Sequence, residues 1–165
     1  MTSSVIKRNG EAAPLDLDRV HHIVEHACHG LAGVSESQVE MNANLQFFDG
    51  IETKDIQEIL IRSANDLITL ENPNYQFVAA RLLLFGLRKG VYHGHPDHPP
   101  HLSIHIENCI KQGVYDPAIA TQYSPEEWDD INNYIDYDRD YLFTYAGLRQ
   151  VVDKYLVQDR SSGEI

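Results

Sequence analysis

Residues 77–85 read Phe-Val-Ala-Ala-Arg-Leu-Leu-Leu-Phe and are apolar on most sides of a helix. Such a helix must be covered on most sides, because burying apolar surface is what stabilises it. Asn72 followed by Pro73 is typical of a helix start, with Asn72 as the cap and Pro73 in the first turn. Lys89 and Gly90 predict its end. The sequence therefore predicts a central helix surrounded by other helices.

Three further helices are predicted upstream of this central one. Their caps are Asp16 or Asp18 for the first helix, Ser35 or Ser37 for the second, and Thr53 for the third. Apolar residues recur at helical spacing in each: Val20, Ile23, Val24, Ala27 and Leu31; Val39, Met41, Leu45 and Phe48; Ile56, Ile59, Leu60, Ala64, Leu67 and Ile68.

The N-terminus predicts a small β-hairpin. Two apolar residues run into the basic pair Lys7-Arg8, and the following Asn9-Gly10 is the strongest short hairpin signal. The returning strand leads to the first helix, which we expect to start at Val20. The predicted fold is mainly α, a four-helix bundle with a small N-terminal β-hairpin as a lid.

Composition divides the chain and limits its function. Residues 93–101 are rich in proline and histidine, which predicts a linker between a domain at 1–92 and a second region at 102–165. The net charge of −12 argues against general nucleic-acid binding. No long apolar run or signal peptide is evident, so we expect no membrane association. Cys28 and Cys109 stand alone and far apart, which favours a reducing cytoplasm.

The second region predicts helices that would lead into a truncated domain. These are a helix around residues 102–112, one opened by a capping box at Ser124, and a long helix from about Arg139 to Leu156. Residues 157–165 predict a strand, a turn and the beginning of a returning strand. A strand without its continuation suggests the front of a longer protein.

Metal and catalytic sites are not predicted. His101 and His105 share a helix face, but no carboxylate or thiol at fixed spacing completes a zinc set. Asp138 lies in an alternating acidic run that lacks the glycine and closing glutamate of a calcium loop. Cys28 and Cys109 are expected to be packing residues.

Cations recur at predicted element ends. Lys7 and Arg8 end the first strand, Arg19 opens the first helix, and Lys89 closes the central one. If the hairpin folds over the start of the third helix at Thr53, these groups converge on one anion such as a polyphosphate. The alternative is that the basic pair at 88–89 complements the dipole of its own helix.

The motifs at residues 5–10, 47–56 and 75–82 resemble an ATP-cone, and in particular the one at the N-terminus of the large (alpha) subunit of bacterial class Ia ribonucleoside-diphosphate reductase. The similarity covers the whole chain. Residues 136–140 and 154–160 look like the start of that enzyme's catalytic domain, so the catalytic residues would lie beyond residue 165. This chain alone is therefore expected to be inactive.

The resemblance implies an allosteric site at which ATP activates and dATP inhibits, with Mg²⁺ accompanying the nucleotide. It also implies a radical-generating small (beta) subunit as partner and self-association of the alpha subunit. Family members often have Glu, Asn, Lys and His where this chain has Ala13, Asp16, Arg19 and Gln57. The implied contacts are Lys7, Arg8, Arg19 and Lys89 to phosphates, Ala13, Pro14, Leu15, Asp16, Leu17 and Asp18 around base and ribose, and Thr53 and Gln57 on the other side.

Two other functions are compatible with parts of the pattern. A stand-alone nucleotide sensor is one, although the ATP-cone repressors also carry a four-cysteine zinc ribbon that this chain lacks. A helical protein-interaction module, whose basic hairpin binds an acidic partner, is the other.

Overall fold

A mainly helical bundle built around one central helix is seen in the computed structural model, which describes residues 4–7, 10–92, 96 and 99–157. The predicted fold class is confirmed. In chain order, the described strands and helices are β1 (Ser4–Ile6), β2 (Ala12–Pro14), α1 (Leu17–Cys28), α2 (Glu36–Asn44), β3 (Ile51–Glu52), α3 (Thr53–Asp66), α4 (Tyr75–Val91), α5 (Leu102–Lys111), α6 (Pro125–Tyr134) and α7 (Tyr145–Lys154). Two 3₁₀ segments, Pro117–Thr121 and Tyr137–Leu142, connect the later helices.

Helix α4 is the central helix. Val78, Ala79 and Leu82 are fully buried within it, and α1, α3 and α7 pack against it. The predicted start at Asn72-Pro73 is wrong, because residues 73 and 74 form a turn ahead of the helix. The side-chain amide of Asn74 instead donates to Ala32 O at 2.8 Å, which ties the turn to the middle of the α1–α2 loop.

The predicted caps are correct for two of the three preceding helices. The Asp16 carboxylate accepts from Arg19 N at 3.0 Å, so α1 begins at Leu17 rather than at Val20. Ser35 caps α2. The prediction for Thr53 is wrong: Thr53 is the first helical residue and Glu52 occupies the cap position, because a short strand runs directly into α3.

The buried face of α2 is narrower than predicted. Val39 and Ala43, four residues apart, are fully buried. Met41, Leu45 and Phe48 are instead 66%, 84% and 60% exposed. Helix α2 has only nine residues. It contributes Val39 and Ala43, one turn apart, to the core.

A third strand extends the predicted hairpin into a three-stranded sheet of order β2-β1-β3. The β1–β2 pair is antiparallel, as predicted, and Gly10 adopts φ +82° in its turn. The added strand β3 pairs with β1 in parallel. Val5 and Ile51 are buried in the same core as the helices, so the hairpin is anchored to the bundle.

The C-terminal region departs from prediction at its last helix. Helices α5 and α6 are present, with the capping box between Ser124 and Glu127. The long helix over 139–156 is wrong, because the Thr144 hydroxyl caps a new helix by accepting from Gly147 N. The resulting α7 packs Leu148 and Val152 into the common core. The division at 93–101 stays a prediction, and the strand over 157–165 lies outside the described residues except for residue 157.

Protonation of His21 is expected to stabilise the bundle. Its Nδ1 lies 2.7 Å from Glu40 Oε1 and joins α1 to α2, and this hydrogen bond and the Glu40 charge raise the pKa of His21. A raised folded-state pKa adds stability below the unfolded value of about 6.5, which is lost as pH rises through the folded value. We expect the difference in melting temperature between the wild type and His21→Gln to be larger at about pH 5.5 than at about pH 8.5.

The matched control is His29→Gln, which removes an imidazole that has no side-chain partner among the described residues. A His21→Gln difference that is equal at both pH values would contradict the assignment.

Candidate nucleotide-binding site

Helices α1 and α4 run antiparallel. The start of α4 lies beside the residues that follow α1, through the Asn74–Ala32 bond. Further along α4, Arg81 Nη1 donates to Ala27 O at 3.2 Å and to His29 O at 2.8 Å. The N-terminus of α1 is therefore directed toward the C-terminal end of α4.

Helices α3 and α4 are also antiparallel. Gln57 Nε2, one turn into α3, donates to Leu82 O at 2.7 Å. A Cβ added at Gly86 would lie 3.2 Å from Gln57 Cγ, so the two helices are close here. One turn back along α3 is Thr53, and three residues further along α4 is Lys89. Both therefore lie at the same end of the bundle as the N-terminus of α1.

The sheet brings Lys7 to this end. In the parallel β1–β3 pair, Ile6 is opposite Glu52, so Lys7 and Thr53 are the next residues along the two paired segments. Lys7 N donates to Glu11 O at 2.9 Å, which closes the hairpin. On the other side of β1, Ala13 and Pro14 pair with Val5 and Ser4, and Leu15 then leads into α1.

This end of the bundle carries features that attract an anion, next to the first-turn carboxylates Asp18 and Asp55. Two helix N-termini point their unpaired N–H groups and positive dipole ends here. No side chain among the described residues caps α3. Lys7 and Arg19 are exposed and have no ion-pair partner in the described part of the chain. Helix N-termini combined with nearby cations bind phosphate groups.

Some of the predicted nucleotide contacts already have other hydrogen-bond partners or lie outside the described residues. The Gln57 amide donates to the α4 backbone, Asp16 is occupied in capping, and Arg8 lies outside the described residues. The exposed Leu17 and Asp18 form the first turn of α1 with Arg19. One further cation lies near this end, Lys54, whose Nζ is 2.9 Å from Glu52 Oε2. Its position in the first turn of α3, directly after Thr53, is visible in the sequence.

Arg88 has a structural role. It is only 7% exposed, and its Nη2 lies 2.7 Å from Asp140 Oδ2. The neighbouring Lys89 is half-buried. Arg88 therefore belongs to an internal ion pair. Lys89 lies at the end of the bundle where α3 begins.

The cysteines and the histidines of α5 contact other protein groups and form no site of their own among the described residues. Burial raises the pKa of the Cys28 thiol to about 11, which keeps it protonated and unreactive. His101 lies 3.2 Å from Asp129, and His105 lies 3.6 Å from Cys109 Sγ. In the described ranges, no three histidine, cysteine or acidic side chains are grouped closely enough to hold a metal ion. The helices described here include none that is long and apolar enough to cross a membrane.

Comparison with known proteins identifies the family. The ATP cone domain family matches residues 3–90. The ribonucleoside-diphosphate reductase subunit alpha of Haemophilus influenzae is 45% identical over 161 residues, covering 98% of this chain and 21% of the relative. The ribonucleoside-diphosphate reductase 1 subunit alpha of Escherichia coli is 44% identical over 161 residues, with the same coverage. The ribonucleoside-diphosphate reductase subunit alpha of Enterobacteria phage T4 is 38% identical over 164 residues, covering 98% of this chain and 21% of the relative. The chain thus spans about a fifth of the length of these relatives. It belongs to the ATP-cone family.

Proposed function

We propose that this chain binds an adenine nucleoside triphosphate and acts as the nucleotide-sensing front end of a ribonucleoside-diphosphate reductase alpha subunit. The observation that carries the proposal is the shared end of α1, α3 and α4, where two helix N-termini lie with Lys7, Arg19 and Lys89 inside the family-matched residues. A triphosphate is the ligand whose charge matches this set.

In this proposal Lys7, Arg8, Arg19 and Lys89 hold the phosphates. The segment from Ala13 through Pro14, Leu15, Asp16, Leu17 and Asp18 surrounds the base and ribose, with Thr53 and Gln57 on the other side. A chain with a net charge of −12 repels a free triphosphate at long range. Magnesium bound with the nucleotide offsets part of that repulsion.

The relatives are longer reductase alpha subunits, so the proposal also concerns a longer protein of which this chain would be a part. We infer that the chain belongs to an enzyme that reduces ribonucleoside diphosphates in the cytoplasm, together with a radical-generating beta subunit. ATP would favour activity, and dATP would favour an inhibited self-association of the alpha subunit. The chain itself contains two cysteines, Cys28 and Cys109, and is expected to show no turnover.

Titration calorimetry of the 165-residue chain with ATP, dATP and GTP, each with Mg²⁺, tests the proposal. We expect ATP and dATP to bind and GTP to bind at least about tenfold more weakly, since a base-specific site loses roughly 1.4 kcal/mol or more with the wrong base. Equal binding of all three would indicate a phosphate site without base recognition. Absence of binding would instead favour the protein-interaction module.

A further inference from the structure

The 3₁₀ segment Tyr137–Leu142 contacts the two helices that carry Arg19 and Lys89. Arg88, on the last turn of α4, is held by Asp140 Oδ2 at 2.7 Å and by Tyr137 O at 3.0 Å. The Tyr141 ring lies 5.7 Å from the Arg88 guanidinium carbon. A buried guanidinium requires such partners, because an unpaired charge is strongly unfavourable away from water.

The same tyrosine reaches the other helix. Its ring centroid lies 5.3 Å from the Arg81 guanidinium carbon and 6.1 Å from the His26 ring of α1. Arg81 in turn donates to the carbonyls of Ala27 and His29 at the end of α1. The 3₁₀ segment is therefore fastened to α1 and α4 together, at the side chains of Tyr141 and Asp140.

This arrangement fixes the last turn of α4. If Asp140 loses its charge, the Arg88 guanidinium is left buried without its carboxylate, and the turn must shift to hydrate it. Lys89 follows Arg88 directly, so the same shift moves Lys89 relative to Lys7 and Thr53. A binding group that is no longer held in position loses affinity even though its charge is unchanged.

We propose that Asp140 is a positioning residue for the nucleotide site, and that nucleotide binding in turn secures residues 137–154 to the bundle. The inference rests on the proposed function. Because coupling free energies are reciprocal, each event must favour the other by the same factor. The contact would thus link the nucleotide site to the region that follows the ATP-cone.

Hydrogen exchange and titration calorimetry on the chain test this. In the wild type, saturating ATP should slow amide exchange across residues 137–154. Asp140→Asn should remove most of that protection and raise the dissociation constant for ATP about fivefold or more, the lower end of typical allosteric coupling. The matched control is Asp138→Asn, an exposed carboxylate on the same segment with no side-chain partner among the described residues, which should preserve both values.

A double-mutant cycle separates positioning from a general loss of stability. In a Lys89→Ala background, Asp140→Asn should have little further effect on ATP affinity. Independent, multiplying effects would overturn the proposal, as would unchanged exchange of residues 137–154 when ATP binds the wild type. Absence of ATP binding to the wild type would overturn both this inference and the proposed function, whereas binding without coupling would overturn this inference alone.

Discussion

Replacing Lys7 or Lys89 by alanine is expected to weaken ATP binding by about 1.5–3 kcal/mol each, or roughly 10- to 150-fold. Lys7 follows β1 beside Thr53, and Lys89 ends α4 at the same end of the bundle. Each variant removes one charge-assisted contact to phosphate. Titration calorimetry with ATP at low and high salt measures the effect, which should shrink as salt screens the open site.

Lys111→Ala is the matched control, because Lys111 is exposed on α5 and has only a 3.9 Å contact with Glu107. It removes the same charge from the chain without touching the shared end of α1, α3 and α4. We expect its ATP affinity to be close to that of the wild type. Wild-type affinity in both Lys7→Ala and Lys89→Ala would show that the cations do not converge on the ligand.

Much of this site follows from local sequence rules. Asp16 and Gly10 are cap and turn residues whose effects act over a few positions, so α1 and the hairpin can be predicted directly. The burial of α4 follows from its composition, because a helix that is apolar all round has no other stable place. Cap and turn residues, together with the apolar composition of α4, already place Lys7, Arg19 and Lys89 near the ends of strands and helices.

Long-range pairing explains what was missed. Strand β3 has two residues, too few for any alternating pattern, and it pairs with Val5 and Ile6 of β1. The Asp49 carboxylate accepts from Ser4 N at 2.7 Å and from Ser4 Oγ at 2.8 Å, which also lowers the pKa of Asp49. Such tertiary contacts displaced the cap of α3 from Thr53 to Glu52.

The wrong prediction of one long C-terminal helix has a similar origin. Residues 139–156 contain no proline, but Arg88 takes both Tyr137 O and the Asp140 carboxylate as partners. The backbone of Phe143 is extended, and Thr144 caps a fresh helix. A buried cation from another helix thus outweighed local helix propensity, which is a weak preference of tenths of a kcal/mol per residue.

Ile51→Ala is expected to lower the free energy of unfolding by about 2–5 kcal/mol, the usual effect of removing most of a fully buried aliphatic side chain. Ile51 is 0% exposed, lies opposite Val5, and directly precedes the residues that open α3. Its loss would leave a cavity under the sheet that positions Lys7. Urea denaturation followed by circular dichroism measures the change. An unaltered slope of the unfolding free energy against urea concentration would show that the variant unfolds in the same two-state transition.

Leu70→Ala provides the control, since Leu70 is 97% exposed and its truncation should change stability by no more than about 0.5 kcal/mol. A similar small effect at Ile51 would mean that β3 is not part of the core, and the parallel pairing that brings Lys7 beside Thr53 would lose its support. A large effect at Ile51 alone ties the stability of the bundle to the strand that leads into the candidate nucleotide site. The stability of the bundle then depends on a two-residue element that propensity and periodicity do not reveal.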